Sequence, residues 1–328
     1  MKRLISAILC MLLLITAASF TGCGKNDTPE TLKLGLGVYT DVSDATDADG
    51  DTNGKGSAAI TAAVVTVDAN GKIVSCVLDT AEIEVAYTSE GKAIANTSFA
   101  TKGELGDAYG MKAHGNATKE WFEQRDAFQT VVKGKTLDQV KALVAEGNKG
   151  TDEVTNAGCT MKINEFVLAI EKAYNNAAAS DATAENTLKL GTYTEQDTTD
   201  ATEDKNGENQ TETTFFAAAV DADGKVIAAN SECVQITFTF DNTGKSTYDK
   251  SETVQGKRER GDAYGMKKYG ASKEWFEQAD AFNAACIGKT ASEIGGLMGA
   301  DSYGNADVKA AGCTILVNGF VKAAAKIG

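Results

Sequence analysis

Gly106-Asp-Ala-Tyr-Gly-Met-Lys112 occurs again, unchanged, as Gly261-Asp-Ala-Tyr-Gly-Met-Lys267. Further blocks repeat in the same order at offsets of 154 to 156 residues: Thr31-Leu-Lys-Leu-Gly35 with Thr187-Leu-Lys-Leu-Gly191, Lys119-Glu-Trp-Phe-Glu-Gln124 with Lys273-Glu-Trp-Phe-Glu-Gln278, and Ala157-Gly-Cys-Thr160 with Ala311-Gly-Cys-Thr314. A unit of about 140 residues is too long for a solenoid repeat and has the usual length of a domain. The repeat therefore predicts two tandem copies of one domain.

The boundaries of these two copies follow from the repeated blocks. The first copy covers residues 31–174 and the second covers residues 187–328. Between them, residues 175–186 are rich in Ala, Asn and Ser, a composition typical of a linker. Each copy is long enough to bury a core of its own.

The first part of each copy has the pattern of antiparallel strands. In copy one, Ile60–Val67 and Lys72–Leu78 flank Asn70-Gly71, and Asn-Gly supplies the positive φ angles of a tight hairpin turn. In copy two, Thr214–Val220 precedes the equivalent turn at Asp223-Gly224. The sequence predicts a β-meander at the start of each copy.

The second part of each copy changes to a helical period. Trp121, Arg125 and Phe128 share one helical face, as do their counterparts Trp275, Ala279 and Phe282. We expect Thr118 and Ser272 to cap these helices. After them, the sequence predicts a short helix following each Gly-Lys-Thr, a short strand beginning near Cys159 or Cys313, and a last helix from about Glu165 or Gly319. The predicted class is α+β, with a meander followed by helices.

Charge and histidine content restrict the function. The 328 residues include 32 Lys and Arg against 46 Asp and Glu, a formal net charge of −14. This balance excludes the basic surface that nucleic-acid binding requires. The single histidine, His114, aligns with Tyr269, so no chemistry shared by the copies uses a histidine. We therefore expect a protein that is not an enzyme and has no nucleic-acid partner.

The N-terminus has the pattern of an export signal. Lys2 and Arg3 precede an apolar run from Leu4 to Phe20, and Gly22-Cys23 follows. A cysteine directly after the small residue predicts a bacterial lipoprotein signal at residues 1–22, lipidation of Cys23, and a lipid-anchored tether at residues 23–30. The alternative is an uncleaved anchor, since 17 apolar residues are near the lower limit for spanning. We expect attachment to the extracytoplasmic face of the cell membrane.

Outside the signal and Cys23, five cysteines remain, and this odd number leaves at least one free thiol. Cys286 falls on an apolar helix face and is expected to pack in the core. Cys76 with Cys159, and Cys233 with Cys313, could form equivalent disulfides, which export would permit; buried free thiols are the alternative. The spacings do not predict a metal site.

Polar residues in the repeated blocks are candidate ligand contacts. Gln124 and Gln278 lie on the aromatic helix face, where each amide must hydrogen-bond nearby backbone or a ligand. The Asp-Ala-Tyr-Gly-Met-Lys block suits either a loop that approaches a ligand or a structural entry into the helix. Asp49-Gly-Asp-Thr-Asn-Gly54 resembles the start of a calcium loop, but Ile60 stands at the twelfth position, so we favour a solvated acidic loop.

Together, the lipoprotein signal, the tandem copies, the Tyr-Gly-Met-Lys block and the Glu-Trp-Phe-Glu-Gln helix resemble the FMN-binding-domain repeats of surface lipoproteins of Gram-positive bacteria. The resemblance to the spirochaete major membrane immunogen group is looser. The resemblance to the FMN-binding-domain repeats implies FMN as cofactor and redox partners at the cell surface. The implied cofactor-binding residues, in the two copies, are Tyr109, Met111, Lys112, Gln124, Thr160, Tyr264, Met266, Lys267, Gln278 and Thr314.

In relatives that carry flavin covalently, a Ser-Gly-Ala-Thr-like segment precedes the last helix, and its Thr is esterified to the FMN phosphate. Here Thr160 and Thr314 match that Thr, while Ala replaces Ser and Cys replaces Ala. These departures argue against covalent flavin. The resemblance thus implies a surface lipoprotein that transfers electrons outside the membrane; the alternative is a non-redox ligand-binding or structural lipoprotein that has lost its flavin.

Overall fold

The computed structural model describes residues 29–96, 98–115, 117–251 and 253–328. The predicted signal peptide, Cys23 and residues 24–28 of the predicted tether lie outside the described residues. In the described part of the chain, no helix is long and apolar enough to cross a membrane.

The N-terminal half begins with a β-meander and continues with helices. Its strands are β1 (Thr31–Thr46), β2 (Gly54–Val67), β3 (Ile73–Tyr87) and the short β4 (Ala93–Ile94). Its helices are α1 (Lys102–Leu105), α2 (Met111–His114), α3 (Trp121–Val132), α4 (Leu137–Lys141), α5 (Asp152–Ala157) and α6 (Asn164–Asn175). All neighbouring strands are antiparallel, with the order β4-β3-β2-β1.

In its described residues, the C-terminal half follows the same order, but without a counterpart of β4 and with a 3₁₀ turn at Lys267–Tyr269 in place of α2. Its strands are β6 (Thr187–Thr199), β7 (Gly207–Val220) and β8 (Val226–Phe240), again antiparallel in the order β6-β7-β8. Its helices are α7 (Lys257–Arg260), α8 (Trp275–Cys286), α9 (Ala291–Gly295), α10 (Ala306–Ala311) and α11 (Asn318–Ala324). The α+β class, with antiparallel strands followed by helices, is confirmed.

The strand register corrects the sequence alignment of the first strands. Lys33 pairs with Val67 beside the first hairpin turn, and Thr187 pairs with Val220 beside the equivalent turn. Lys33, not Thr31, therefore corresponds to Thr187, and Gly37 corresponds to Gly191. The identical Thr-Leu-Lys-Leu-Gly strings are offset by two residues, a shift that leaves each side chain on the same face of the strand.

Each sheet has two buried faces. Between the sheets lies one apolar core, to which both halves contribute, with members such as Leu36, Ile60, Ile83, Phe215, Ile236 and Phe238. Helices α3 and α6 cover the outer face of the first sheet through a second core, and α8 and α11 cover the second sheet through a third. The layers are helices, sheet, sheet and helices.

The contacts between the halves are reciprocal. The Ala48 amide donates to Gly244 O at 2.7 Å, and the Ala201 amide donates to Gly91 O at 2.8 Å; each pair of like residues is separated by 153 positions. In the same way, Asp47 Oδ1 accepts from the Ser246 amide and Asp200 Oδ1 accepts from the Ala93 amide.

The same reciprocity extends to side chains. The rings of Tyr87 and Phe240, also 153 positions apart, stack on each other with centroids 4.2 Å apart. The Lys172 ammonium lies 2.9 Å from Glu259, and the Lys326 ammonium lies 2.6 Å from Glu104. Such self-complementary exchange is the pattern of an interface with two-fold symmetry.

The segment predicted as linker contains a strand, β5 (Ala178–Thr183). It pairs antiparallel with β1 and completes the first sheet as β4-β3-β2-β1-β5. Ala182 is fully buried in the core between the sheets. The connection between the halves is thus held by hydrogen bonds and apolar packing.

Two local predictions were wrong. The helices α3 and α8 are capped by Glu120 and Glu274, not by Thr118 and Ser272, because each Glu forms a capping box with the Glu three residues later. No strand begins near Cys159 or Cys313; only the isolated bridges Lys149–Lys162 and Tyr303–Leu316 are found there.

The proposed disulfides are also absent. Cys76, Cys159, Cys233 and Cys313 are free and buried. Cys76 shares one apolar core with Cys159, but a common core does not by itself bring two sulfur atoms to bonding geometry. Cys286 is likewise buried, and burial raises the pKa of its thiol to about 12, with a smaller contribution from nearby Cys313.

Candidate functional site

A buried glutamate fastens the Tyr-Gly-Met-Lys loop to the next helix in each half. Glu274 is 3% exposed, and its carboxylate accepts from the Met266 amide at 2.8 Å and the Lys267 amide at 3.0 Å. Glu120 binds the amides of Met111 and Lys112 at 2.7 and 3.1 Å. Since the same carboxylate also caps the helix, loop and helix are positioned together.

A buried glutamine joins the same helix to the segment before the last helix. Gln278 Oε1 accepts from the Thr314 amide at 2.8 Å and from the Thr314 hydroxyl at 2.9 Å. Gln278 Nε2 donates to Lys273 O at 3.2 Å. Gln124 makes the same contacts with Thr160 and Lys119. The two glutamines therefore have protein partners for both amide atoms.

These connections frame a cavity of about 400 Å³ in the C-terminal half, here called the C-terminal cleft. Tyr264, Met266, Trp275 and Phe320 form its apolar walls, and Tyr303 and Leu316 are partly exposed at its lining, at 38% and 56%. Its polar lining comprises Glu195, Glu212, Thr214, Cys233, Lys257 and Thr314.

The N-terminal half has a smaller cavity of about 270 Å³ at the corresponding place, here called the N-terminal cleft. Its lining residues are Thr80, Lys102, Tyr109, Met111, Trp121, Met161, Lys162, Glu165 and Phe166. Lysine, tyrosine, methionine, tryptophan and phenylalanine stand at matching positions in both clefts. Separate elements of each half therefore bring the same set of side chains together.

The lysine in each cleft is held by a carboxylate and an aromatic ring. Lys257 is 2.9 Å from Glu212 and lies 5.7 Å from the Tyr264 ring centroid. Burial alone would lower the pKa of Lys257, but the charge and the hydrogen bond of the Glu212 carboxylate raise it. The lysine therefore stays charged at neutral pH, and its charge is balanced within the cleft.

In the N-terminal cleft the carboxylate comes from a different strand. Lys102 is 2.9 Å from Glu82 of β3 and 5.0 Å from the Tyr109 ring centroid. Burial opposes the charge of Lys102, whereas hydrogen bonds to Glu82 and Tyr109 raise its pKa. The two lysines occupy equivalent positions, but their carboxylate partners lie on non-equivalent strands, β7 for Lys257 and β3 for Lys102.

Two other groups in the C-terminal cleft differ in acidity from their usual values. Burial, followed by the neighbouring Glu212 charge, raises the pKa of Glu195, whose carboxylate accepts from Asn318 Nδ2 at 2.8 Å. Burial also raises the pKa of the Cys233 thiol to about 12. Cys233 is therefore a neutral thiol near pH 7 and a poor nucleophile.

The structure brings together some of the predicted site residues and separates others. Tyr109, Met111, Tyr264, Met266 and Thr314 line the clefts. The remaining candidates do not line either cleft: Lys112, Lys267, Gln124, Gln278 and Thr160. Lys112 and Lys267 instead pair with Glu123 and Glu277 on the adjacent helices.

Thr160 and Thr314 are both exposed, and neither lies in a strand. The short strands predicted near Cys159 and Cys313 are not formed around them, because the chain there turns from α5 or α10 directly toward the last helix.

Sequence reasoning missed the two cleft lysines and the cleft carboxylates. Lys102 and Lys257 stand four residues before the repeated Gly-Asp-Ala-Tyr, so the repeat contained a signal for them. Glu212 could not be found in this way, because its counterpart is Ala59. Glu195 has an acidic counterpart, Asp41, but both lie outside the repeated blocks.

Among the described residues, no group of three or more His, Cys, Asp or Glu side chains is placed to hold a metal ion. The acidic loop that starts at Asp49 forms a turn closed by hydrogen bonds between Asp49 and Thr52.

Comparison with known proteins gives one partial similarity to report. A segment of the chain is 38% identical over 95 residues to a chlorophenol reductase of Desulfitobacterium hafniense. The match covers 25% of this chain and 29% of that protein, so the chain spans less than a third of this relative's length. No family model and no solved structure matches the chain.

Proposed function

We propose that this protein is a lipid-anchored flavin-binding protein with two related domains, which carries electrons at the extracytoplasmic face of the membrane. The observation that supports this most is the recurrence of one aromatic-walled cleft, with a central lysine, at the corresponding place in both halves. The reciprocal contacts between the halves support two copies of one domain that pack as a symmetric pair.

The C-terminal cleft suits the ring system of a flavin. Ligand sites commonly enclose about 300–1,000 Å³ with mostly apolar walls and a few polar groups. Trp275, Phe320 and Tyr264 offer aromatic surface for a planar ring, and Lys257 with Glu195 offers a donor and an acceptor at its edge. A bound flavin would supply the electron transfer, and these residues would hold it and exclude water.

The threonines suit non-covalent binding better than an ester. The Thr314 hydroxyl donates to Gln278 Oε1 at 2.9 Å, and the Thr160 hydroxyl donates to Gln124 Oε1 at 3.1 Å. An ester oxygen has no hydrogen to donate, so esterification would place two acceptor oxygens against each other. The similarity to a protein named a reductase agrees with a redox role, although it covers a quarter of the chain.

Flavin binding is tested by the absorption spectrum of the protein from its own host and by titration of the purified protein with FMN. We expect two flavins per chain, quenching of tryptophan fluorescence, and loss of one site each in Tyr109→Ala and Tyr264→Ala. Tyr174→Ala, which alters a tyrosine outside both clefts, is the matched control and should keep both sites. A colourless native protein that does not bind added FMN would refute the proposal.

A second candidate function is binding of a non-redox ligand by a protein that has lost flavin. The two carboxylates of the C-terminal cleft, Glu195 and Glu212, favour a ligand that donates hydrogen bonds. If FMN fails to bind, a thermal-shift screen of uncharged heterocycles and amines tests this alternative, with Glu195→Gln as the variant that should lose the response.

The membrane attachment is tested separately. Cys23→Ala should prevent incorporation of labelled palmitate and leave the precursor uncleaved. Labelled palmitate in this variant would place the lipid elsewhere. The result does not depend on whether the clefts bind flavin.

A further inference from the structure

A second cavity adjoins the C-terminal cleft. This outer cavity has a volume of about 500 Å³ and is lined by Gln235, Arg260, Tyr264, Met266, Tyr269 and Ala271. Tyr264 and Met266 line both cavities, so the two cavities meet at these two side chains.

Arg260 is the charged group of the outer cavity. Its guanidinium lies 5.2 Å from the centroid of the Tyr264 ring, and the described residues place no carboxylate within ion-pair distance of it. The acids closest in sequence are engaged elsewhere: Glu259 pairs with Lys172, and Asp262 is exposed on the loop, where its charge acts on Lys267. The Arg260 charge is thus available to a ligand.

The corresponding region of the N-terminal half is less positive, and its acid Glu82 is paired with Lys102. Glu82 stands where the C-terminal half has Gln235, Leu105 stands where it has Arg260, and Ala113 stands in place of Lys268. Lys268 lies 5.6 Å from the centroid of the Tyr269 ring, beside the outer cavity. All three differences make the C-terminal region more positive, in a chain whose formal net charge is −14.

We propose that the C-terminal half binds an aromatic heterocycle with an anionic tail, the ring in the C-terminal cleft and the tail in the outer cavity against Arg260. An arginine suits a phosphate or carboxylate because its planar donors bind two oxygens at once. The N-terminal half has Leu105 in place of Arg260 and, as its other cation besides the paired Lys102, only Lys162 among the described residues of the cleft lining, so we expect it to distinguish a ligand with such a tail less strongly. This inference rests on the proposed function, and it identifies which half recognises the phosphate of FMN.

The test compares the affinities of FMN and riboflavin, which share the ring and differ by the phosphate. It uses the otherwise complete chain with Tyr109→Ala, so that the C-terminal site is measured alone. We expect FMN to bind more tightly than riboflavin, and Arg260→Gln to weaken FMN about tenfold or more while riboflavin changes less than about twofold, as expected for a charge-assisted contact. Lys225→Gln, which removes one exposed lysine from the hairpin turn, is the charge-matched control.

The reciprocal variant is Leu105→Arg, measured with Tyr264→Ala so that the N-terminal site is isolated. It should increase the preference for FMN over riboflavin relative to the parent with Leu105. Raising the salt concentration should reduce FMN affinity more in the chain with Arg260 than in Arg260→Gln.

The outcomes separate the two proposals. Equal affinities for FMN and riboflavin at the C-terminal site, or equal losses of both in Arg260→Gln, would overturn the inference and leave flavin binding intact. Binding of neither compound would overturn both.

Discussion

The N-terminal and C-terminal clefts have a common framework and different interiors. In both, a buried glutamate fastens the Tyr-Gly-Met-Lys loop and a buried glutamine fastens the segment before the last helix. The interiors differ at positions that line the cavities: the N-terminal cleft has Glu165 and Lys162 where the C-terminal cleft has Gly319 and Leu316. The framework residues satisfy backbone groups that have no other partner, and the interior residues determine what fits.

The difference in volume has a direct cause. Glu165 projects into the N-terminal cleft, whereas Gly319 has no side chain, and the cavities measure about 270 and 400 Å³. Burial raises the pKa of the Glu165 carboxyl, and the nearby Asp41 charge raises it further. The larger C-terminal cleft is therefore expected to bind a planar ligand more tightly than the N-terminal cleft.

The largest predicted effect concerns the contact between the first strand and the last helix. A side chain at Gly191 would overlap the Ala323 carbonyl, and one at Gly37 would overlap the backbone of Ala169 and Ala173. Gly191→Val and Gly37→Val should each destabilise the protein by about 3 kcal/mol or more, since the helix must move away. Urea denaturation measures this.

Gly295→Ala is the control for these variants. Its new methyl group meets no atom within 4 Å, and it lies in α9, so it should stabilise by about 0.5–1 kcal/mol. A cost at only one of Gly37 and Gly191 would show that the two halves do not share this packing.

The second prediction removes the glutamate that fastens the loop. Glu274→Ala loses the helix cap and leaves the Met266 and Lys267 amides without an acceptor, so it should cost about 2–3 kcal/mol. Glu120→Ala should cost about the same, because its contacts are the same. Ligand binding should be lost only in the altered half, which isothermal titration can count.

The exposed glutamates Glu146 and Glu203 offer controls: alanine at either position should change stability by less than about 0.5 kcal/mol. Loss of ligand binding in both halves from one of the two Glu variants would contradict the independence of the clefts.

The sequence was sufficient for the order of elements and insufficient for their assembly. Repeated Asn-Gly or Asp-Gly turns and the change from period two to helical period carry local information, so the meander and the helices could be predicted. The stacking of Tyr87 on Phe240 and the burial of a strand in the presumed linker depend on contacts more than 90 residues apart, which no local pattern encodes. The first strands illustrate this, because identical pentapeptides occupy registers that differ by two residues.

The candidate site was predictable only where it coincided with the repeat. Tyr264 and Met266 belong to the repeated block and do line the cleft. Lys267 belongs to the same block, but its side chain follows the helix surface to Glu277. Glu212, which balances Lys257, has Ala59 as its counterpart, so comparison of the two halves could not reveal it.

The third prediction concerns the pH dependence of stability, and it rests on an acidic residue that stands at the equivalent position in both sheets. Glu232 is buried on β8 and Asp79 is half-buried on β3, and burial raises the pKa of each carboxyl, that of Glu232 to about 6 from 4.5. The folded state therefore binds the proton on the Glu232 carboxyl more tightly than the unfolded state does. The stability that this proton contributes is complete below about pH 4.5 and is lost as the pH rises through 6. Wild type should thus lose about 2 kcal/mol between pH 4.5 and 7 relative to Glu232→Gln.

Chemical denaturation at several pH values, compared between wild type and Glu232→Gln, measures this difference. Glu203→Gln, at an exposed site, should follow wild type at every pH. A wild-type stability that rises relative to Glu232→Gln across this range would mean that the hydrogen bonds from the Arg258 and Glu259 amides lower the pKa more than burial raises it.

The smallest predicted effect concerns the threonines at which the resembled family attaches FMN. Thr314→Val and Thr160→Val each remove a hydroxyl that donates to a buried glutamine, while the backbone amide of the same residue continues to donate. Each variant should therefore cost only about 0.5–1 kcal/mol. Intact-protein mass spectrometry after co-expression with a flavin transferase should show no covalent flavin in wild type, because an ester would oppose the glutamine oxygen. An added mass of roughly 0.4 kDa per site that disappears in the double variant would establish covalent attachment. A single addition that is lost only with Thr314→Val would confine the attachment to the C-terminal half, where the threonine lines a cleft, as Thr160 does not.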